Sequence, residues 1–76
     1  MTDLATRLLR VLPHHGQRTV SRAGHDAGLP SDRAKAAGRE LQALGFVTML
    51  QARGAKLELT DAGRQAQLAI AREAIA

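Results

Sequence analysis

Residues 41–64 read LQALGFVTMLQARGAKLELTDAGR. A helical pattern ends at Leu44 and Gly45, and two short runs follow. Val47 and Met49 alternate with Thr48 and Leu50, and Leu57 and Leu59 alternate with Lys56 and Glu58. A period of two argues for strands. Pairing Met49 with Leu57 and Val47 with Leu59 gathers their apolar side chains on one face of a hairpin. That register leaves Ala52-Arg53-Gly54 as a three-residue loop, with Gly54 where such a loop needs a left-handed residue. Thr60 then caps a final helix.

Upstream, the period changes to that of a helix. In DLATRLLRVL, Leu4, Leu8, Val11 and Leu12 recur at helical spacing; Thr2 can cap the start and Pro13 ends it. PHHGQR reads as a loop. Thr19 or Ser21 opens a second helix, and AGLP closes it with Gly28 suited to a left-handed cap. Ser31 is expected to cap a third helix, with Asp32 near its positive end. There Ala34, Ala37, Leu41 and Leu44 share one face, while Arg33, Lys35, Ala36, Arg39 and Gln42 point elsewhere. The expected elements are therefore helices at 3–12, 20–27, 31–44 and 61–75, with a hairpin at 46–59. This is a single domain over 1–76, mainly α with a small β-hairpin (α+β).

A chain of 76 residues with Phe46 as its only Phe, Tyr or Trp builds a thin core of Leu, Ile and Val. The absence of cysteine excludes disulfides and thiolate metal sites. No apolar run reaches membrane-spanning length, and Asp3 within an amphipathic start does not fit a signal peptide. No membrane partner and a cytoplasmic setting are expected. Net charge is +4, and nine of the eleven basic residues are Arg. That balance favours a polyanion partner. His14 and His15 are adjacent in a loop with no carboxylate cluster nearby, so metal binding there, or at His25, is not expected. No nucleophile–base pair, phosphate-cradling glycine loop or paired acids occur, so neither an enzyme nor a cofactor is expected.

The order helix–helix–helix–hairpin–helix, with VSRAGHDAGLPSDRAKAAGR supplying two helices around a glycine turn, resembles a winged helix-turn-helix. Small or apolar residues stand at Ala23, Gly24, Ala27, Gly28, Leu29, Ala34 and Ala37, where two closely crossing helices need them. Gly24 and Gly38 would each cost about 1 kcal/mol relative to Ala unless close packing requires them. LQALGFV, a hairpin and LELTDAGR are similar to the second half of MarR-type bacterial regulators, and LLRVLPHHGQRTVSRAGHDAGL resembles their first helix and lead-in. Ala23 and Ala27 depart from the leucines usual in that family, and its long flanking dimerisation helices are not seen.

The resemblance implies a small sequence-specific regulator of prokaryotic or phage style that binds double-stranded DNA. Its recognition helix, 31–44, would enter the major groove with Ser31, Arg33, Lys35, Ala36 and Arg39 facing the bases and backbone. Arg53 and Lys56 on the wing, and Arg18 and Arg22 beside the second helix, would meet phosphates. The rival readings are a winged-helix adaptor for proteins and an accessory recombination or packaging factor, of which basic charge on the third helix disfavours the adaptor. The final helix sets Ala62, Ala66, Ala69 and Ile70 on one side and Leu68, Ala71 and Ile75 on the other. A helix apolar on two sides suggests a symmetric homodimer through Leu68, Ala71 and Ile75, helped by Leu9 of the first helix.

Overall fold

Three of the four helices begin where a threonine relieves unpaired N–H groups. The computed structural model describes residues 1–50 and 54–75, with backbone only for Ala74 and Ile75. Helix α1 spans Asp3–Val11, and Thr2 Oγ1 accepts the Ala5 N–H at 3.2 Å. Helix α2 spans Val20–Ala27, and Thr19 Oγ1 accepts the Arg22 N–H at 3.1 Å. Helix α4 spans Asp61–Ile75, and Thr60 Oγ1 accepts the Gly63 N–H at 3.0 Å. Caps of this kind contribute about 1 kcal/mol each.

Helix α3, Ser31–Ala43, breaks the pattern. Ser31 is its first helical residue and not its cap; Pro30 holds the cap position, with no side-chain bond to the first turn. Pro30 has extended backbone (φ −61°, ψ 157°), and its carbonyl accepts the Ala34 N–H at 2.9 Å, the first bond of the helix.

Two left-handed glycines end α2 and α3. Gly28 (φ 71°) lets Leu29 N–H reach Gly24 O at 2.8 Å, and Gly45 (φ 79°) lets Phe46 N–H reach Leu41 O at 2.9 Å. Both are Schellman closures. The second turns the chain straight into the hairpin. It also leaves Leu44 47% exposed, which corrects its expected place on the buried face of α3.

The sheet holds β1 (Gln17–Thr19), β2 (Val47–Leu50) and β3 (Lys56–Leu59) in the order β1-β3-β2, all antiparallel. Val47 pairs with Leu59 and Met49 with Leu57, as their alternation implies. Gly54 is left-handed at φ 83°, while Arg53 lies outside the described residues. Strand β1 replaces part of the expected loop PHHGQR. At three residues it is too short to show a period, and only β3 supplies its partner.

The core joins Leu8, Leu9 and Leu12 of the first helix region to Val20, Ala23, Leu29, Ala34, Ala37, Leu41, Val47, Leu57 and Leu59. Helix α1 packs on α2, α3 and α4, so it is covered on several sides. Leu9 is consequently fully buried within the single chain. It cannot contribute to a dimer surface, which corrects that assignment. The inner face of α4 is also rotated from the expected one. Gly63 is buried and Ala66, Gln67 and Ile70 are partly buried, whereas Ala62 and Ala69 are exposed. The reason is polar: Gln67 Nε2 donates to Leu9 O at 3.0 Å and Leu12 O at 2.7 Å, satisfying carbonyls at the end of α1.

Candidate nucleic-acid interface

The third helix is held by α1, α2 and the sheet and is free on its remaining face. Gly24 of α2 sits so close to Ala34 that a Cβ on it would meet the Ala34 Cβ at 2.6 Å. Gly38 faces Met49 and Leu57 of the sheet, where a Cβ would find ordinary contacts of 3.5–3.7 Å. Gly24 therefore meets the close-packing requirement expected of it and Gly38 does not. With Ala34, Ala37, Gly38 and Leu41 buried, Ser31, Asp32, Arg33, Lys35, Ala36 and Arg39 are left exposed.

These exposed residues do not form one patch. At 100° per residue, Lys35 and Arg39 lie about 40° apart, whereas Arg33 is about 160° round the helix from Lys35. Lys35 and Arg39 both line a cleft of about 560 Å³, with Thr19, Val20 and Ser21 at the start of α2 and Met49, Gly54 and Ala55 from the hairpin side. Lys35 also lines a smaller groove of about 160 Å³ with Ser21, His25 and Ser31, between α2 and α3. Arg33 lies on the flank of Glu40, which faces α1: the Thr2 N–H and hydroxyl both donate to the Glu40 carboxylate at 2.7 Å. Those two bonds hold the Glu40 pKa below its usual range. Ala36 is exposed between the two edges.

The other expected cations are placed differently. Arg18 lies in β1, two residues before α2, and its Nη1 donates to Asp26 Oδ2 at 2.8 Å. Arg22 Nε approaches Asp26 Oδ1 at 3.5 Å. Lys56 pairs opposite Thr19 and Leu50, on the face of the sheet turned away from Leu57 and so away from α3. It does not line the cleft. Among the described residues, Arg33, Lys35, Arg39 and Lys56 have no carboxylate within ion-pair distance, while Arg7, Arg18, Arg22 and Arg64 are paired.

Two features of the site escaped the sequence reading. Thr19 and Ser21 join the cleft because β1 delivers α2 beside the hairpin, Val20 N–H donating to Ala55 O at 2.9 Å. A three-residue strand left no signal for that. The Arg22–Asp26 pair was legible as i,i+4 spacing, but its link to Arg18 depends on tertiary structure.

His14 Nδ1 lies 3.0 Å from Gln67 Oε1, and its ring meets that of His15 edge-on at 4.9 Å. Among the described residues no three His, Asp or Glu side chains stand together as a metal site. No helix of the described residues is long and apolar enough to cross a membrane. On the outer side of α4, Leu68 is 47% exposed and Ala71 is exposed, while the side chain of Ile75 lies outside the described residues.

No protein-family model and no curated sequence matches the chain. Solved structures do. The crystal structure of NadR in complex with 4-hydroxyphenylacetate superposes with a TM-score of 0.81 at 25% identity, over 96% of this chain and 55% of that one. A MarR family transcriptional regulator from Silicibacter pomeroyi gives 0.82 at 23% identity, over 97% and 54%. A MarR family regulator from Neisseria meningitidis gives 0.79 at 20%, over 97% and 55%. The chain thus spans about half the length of the proteins it resembles. Its fold is the α+β winged helix of the MarR-type transcriptional regulators.

Proposed function

We propose that this domain is a non-enzymatic, sequence-specific regulator that binds double-stranded DNA in the cytoplasm, with α3 in the major groove. The observation that carries this reading is the pair Lys35 and Arg39. Two like charges four residues apart repel, and no carboxylate among the described residues lies within ion-pair distance of either. A DNA phosphate or a guanine edge would supply that missing partner. The cleft beside them has Thr19 and Ser21 at the start of α2 and the hairpin on its far side, a shape that suits one strand of a duplex.

Within this reading Arg39 grips a guanine or adjacent phosphate, Lys35 and Ser31 meet backbone, and Ala36 approaches a thymine methyl. Arg33 serves the opposite edge of the helix. Arg18, Arg22, Arg53 and Lys56 contribute charge toward flanking phosphates. The active species is a homodimer joined through the outer side of α4, with Leu68, Ala71 and Ile75 at its seam and Leu9 excluded. It presents two recognition helices to half-sites about one helical turn apart.

Selection from a random duplex pool, followed by electrophoretic shift, tests the proposal. The expected result is a pseudo-palindromic consensus containing a guanine in each half-site. Enrichment of no sequence would remove the regulator reading, and a mobility shift with none of the duplexes would leave a protein-binding adaptor.

A further inference from the structure

We infer that Asp26 is an internal counter-anion that restrains the grip of Arg18 and Arg22 on the DNA backbone. The inference rests on the DNA reading above. Asp26 stands in the last turn of α2, where the helix dipole disfavours an acid. Two arginines from different elements hold it there: Arg18 of β1 at 2.8 Å on one carboxylate oxygen and Arg22 of α2 at 3.5 Å on the other. The side chain of Asp26 is 26% exposed beneath them, whereas that of Arg22 is 70% exposed.

The trio presents a net charge of +1, two cations less one anion, instead of +2. Arg22 approaches Asp26 through Nε, and its two Nη groups have no hydrogen-bond partner among the described residues. They can take a phosphate while Asp26 still competes for the guanidinium. Lys35 and Arg39 carry no such competitor, so the restraint falls on the flanking backbone contacts and spares α3. Because phosphate contacts hold no base information, the restraint weakens binding to every duplex by a similar factor.

The experiment is a fluorescence-anisotropy titration of a random-sequence duplex with wild type, Asp26→Asn and Asp26→Glu, at low and high salt. The first variant is also made in an Arg18→Gln/Arg22→Gln background. One freed phosphate contact steepens the salt dependence by about 0.9 in log–log slope. Asp26→Asn should therefore bind more tightly than wild type at 50 mM salt, with its advantage about three- to fourfold smaller at 200 mM. Asp26→Glu keeps the charge and should keep the wild-type slope even if packing around it loosens, and thermal melts of each variant show how much it does. In the double-glutamine background most of the gain should vanish. Equal affinity and slope for Asp26→Asn overturn the inference, as does weaker binding, which would make Asp26 an anchor that positions the arginines. A gain that survives loss of both arginines overturns the route through them. Absence of binding by every variant overturns the DNA reading and this inference together.

Discussion

The carbonyl oxygen of Phe46 occupies the space that a side chain on Gly63 would need, and the same oxygen accepts the Thr60 N–H at 3.0 Å. Thr60 in turn donates its hydroxyl to Gly45 O at 2.6 Å and caps α4. Three residues of the sequence Leu-Thr-Asp-Ala-Gly at 59–63 are thereby explained. Leu59 enters the core, Thr60 ties the hairpin's exit to its entry, and Gly63 lets α4 start directly against that entry.

Glycine substitutions should accordingly split by position. Gly63→Ala places a methyl against backbone that cannot yield, and is expected to cost about 3 kcal/mol or more, at the upper end for overpacking. Gly38→Ala meets only Met49 and Leu57 methyl groups at 3.5–3.7 Å and gains helix propensity, so it should stabilise by about 1 kcal/mol. Thermal melts decide both. A lower Tm for Gly38→Ala would mean that α3 approaches the sheet more closely than these distances indicate.

Acid should loosen the tie between α1 and α3. The folded-state pKa of Glu40 is depressed, first by the Thr2 N–H and then by the Thr2 hydroxyl. Its contribution to stability is therefore fully present above the ordinary carboxylate range and is lost as pH falls through the lower, folded-state value. Glu40→Gln should melt below wild type near neutral pH, with the gap closing as the solution is acidified below about pH 4. A gap unchanged by acid would show that the Thr2 bonds do not discriminate between the two protonation states.

Self-association should depend on Leu68 and be indifferent to Leu9 as a surface group. Leu68 is nearly half exposed on the side of α4 away from Gly63 and Ile70, whereas Leu9 is sealed in the core. Sedimentation should show wild type associating at tens of micromolar and Leu68→Glu shifted to monomer. A monomeric wild type under those conditions would contradict the homodimer.

Most of the fold could be read because its signals are local. The hairpin register came from alternation at Val47, Met49, Leu57 and Leu59, and the helix starts at Thr2 and Thr60 came from cap chemistry, which for α2 left Thr19 and Ser21 as alternatives until the fold chose Thr19. Apart from the Ser31 cap, whose place Pro30 takes, what failed was tertiary. Strand β1 has no period of its own, Leu9 is buried by a third neighbouring helix, and the inward face of α4 follows Gln67 reaching the α1 carbonyls instead of its alanines. The site was legible as a list of exposed α3 residues. Its division into a Lys35–Arg39 cleft and an Arg33 flank, and the pairing of Arg18 with Asp26 across elements, required the folded chain.

The most direct measurement is a titration of duplex DNA, taken from the selected consensus, with wild type, Arg39→Ala and Arg33→Ala at several salt concentrations. Wild type should bind in the micromolar range or tighter at low salt, and lose affinity steeply as salt rises. Arg39→Ala should cost about 1–3 kcal/mol of specific binding, and Arg33→Ala less, with melts for both close to wild type. Wild-type affinity no better than millimolar at low salt, for any duplex, would contradict the account.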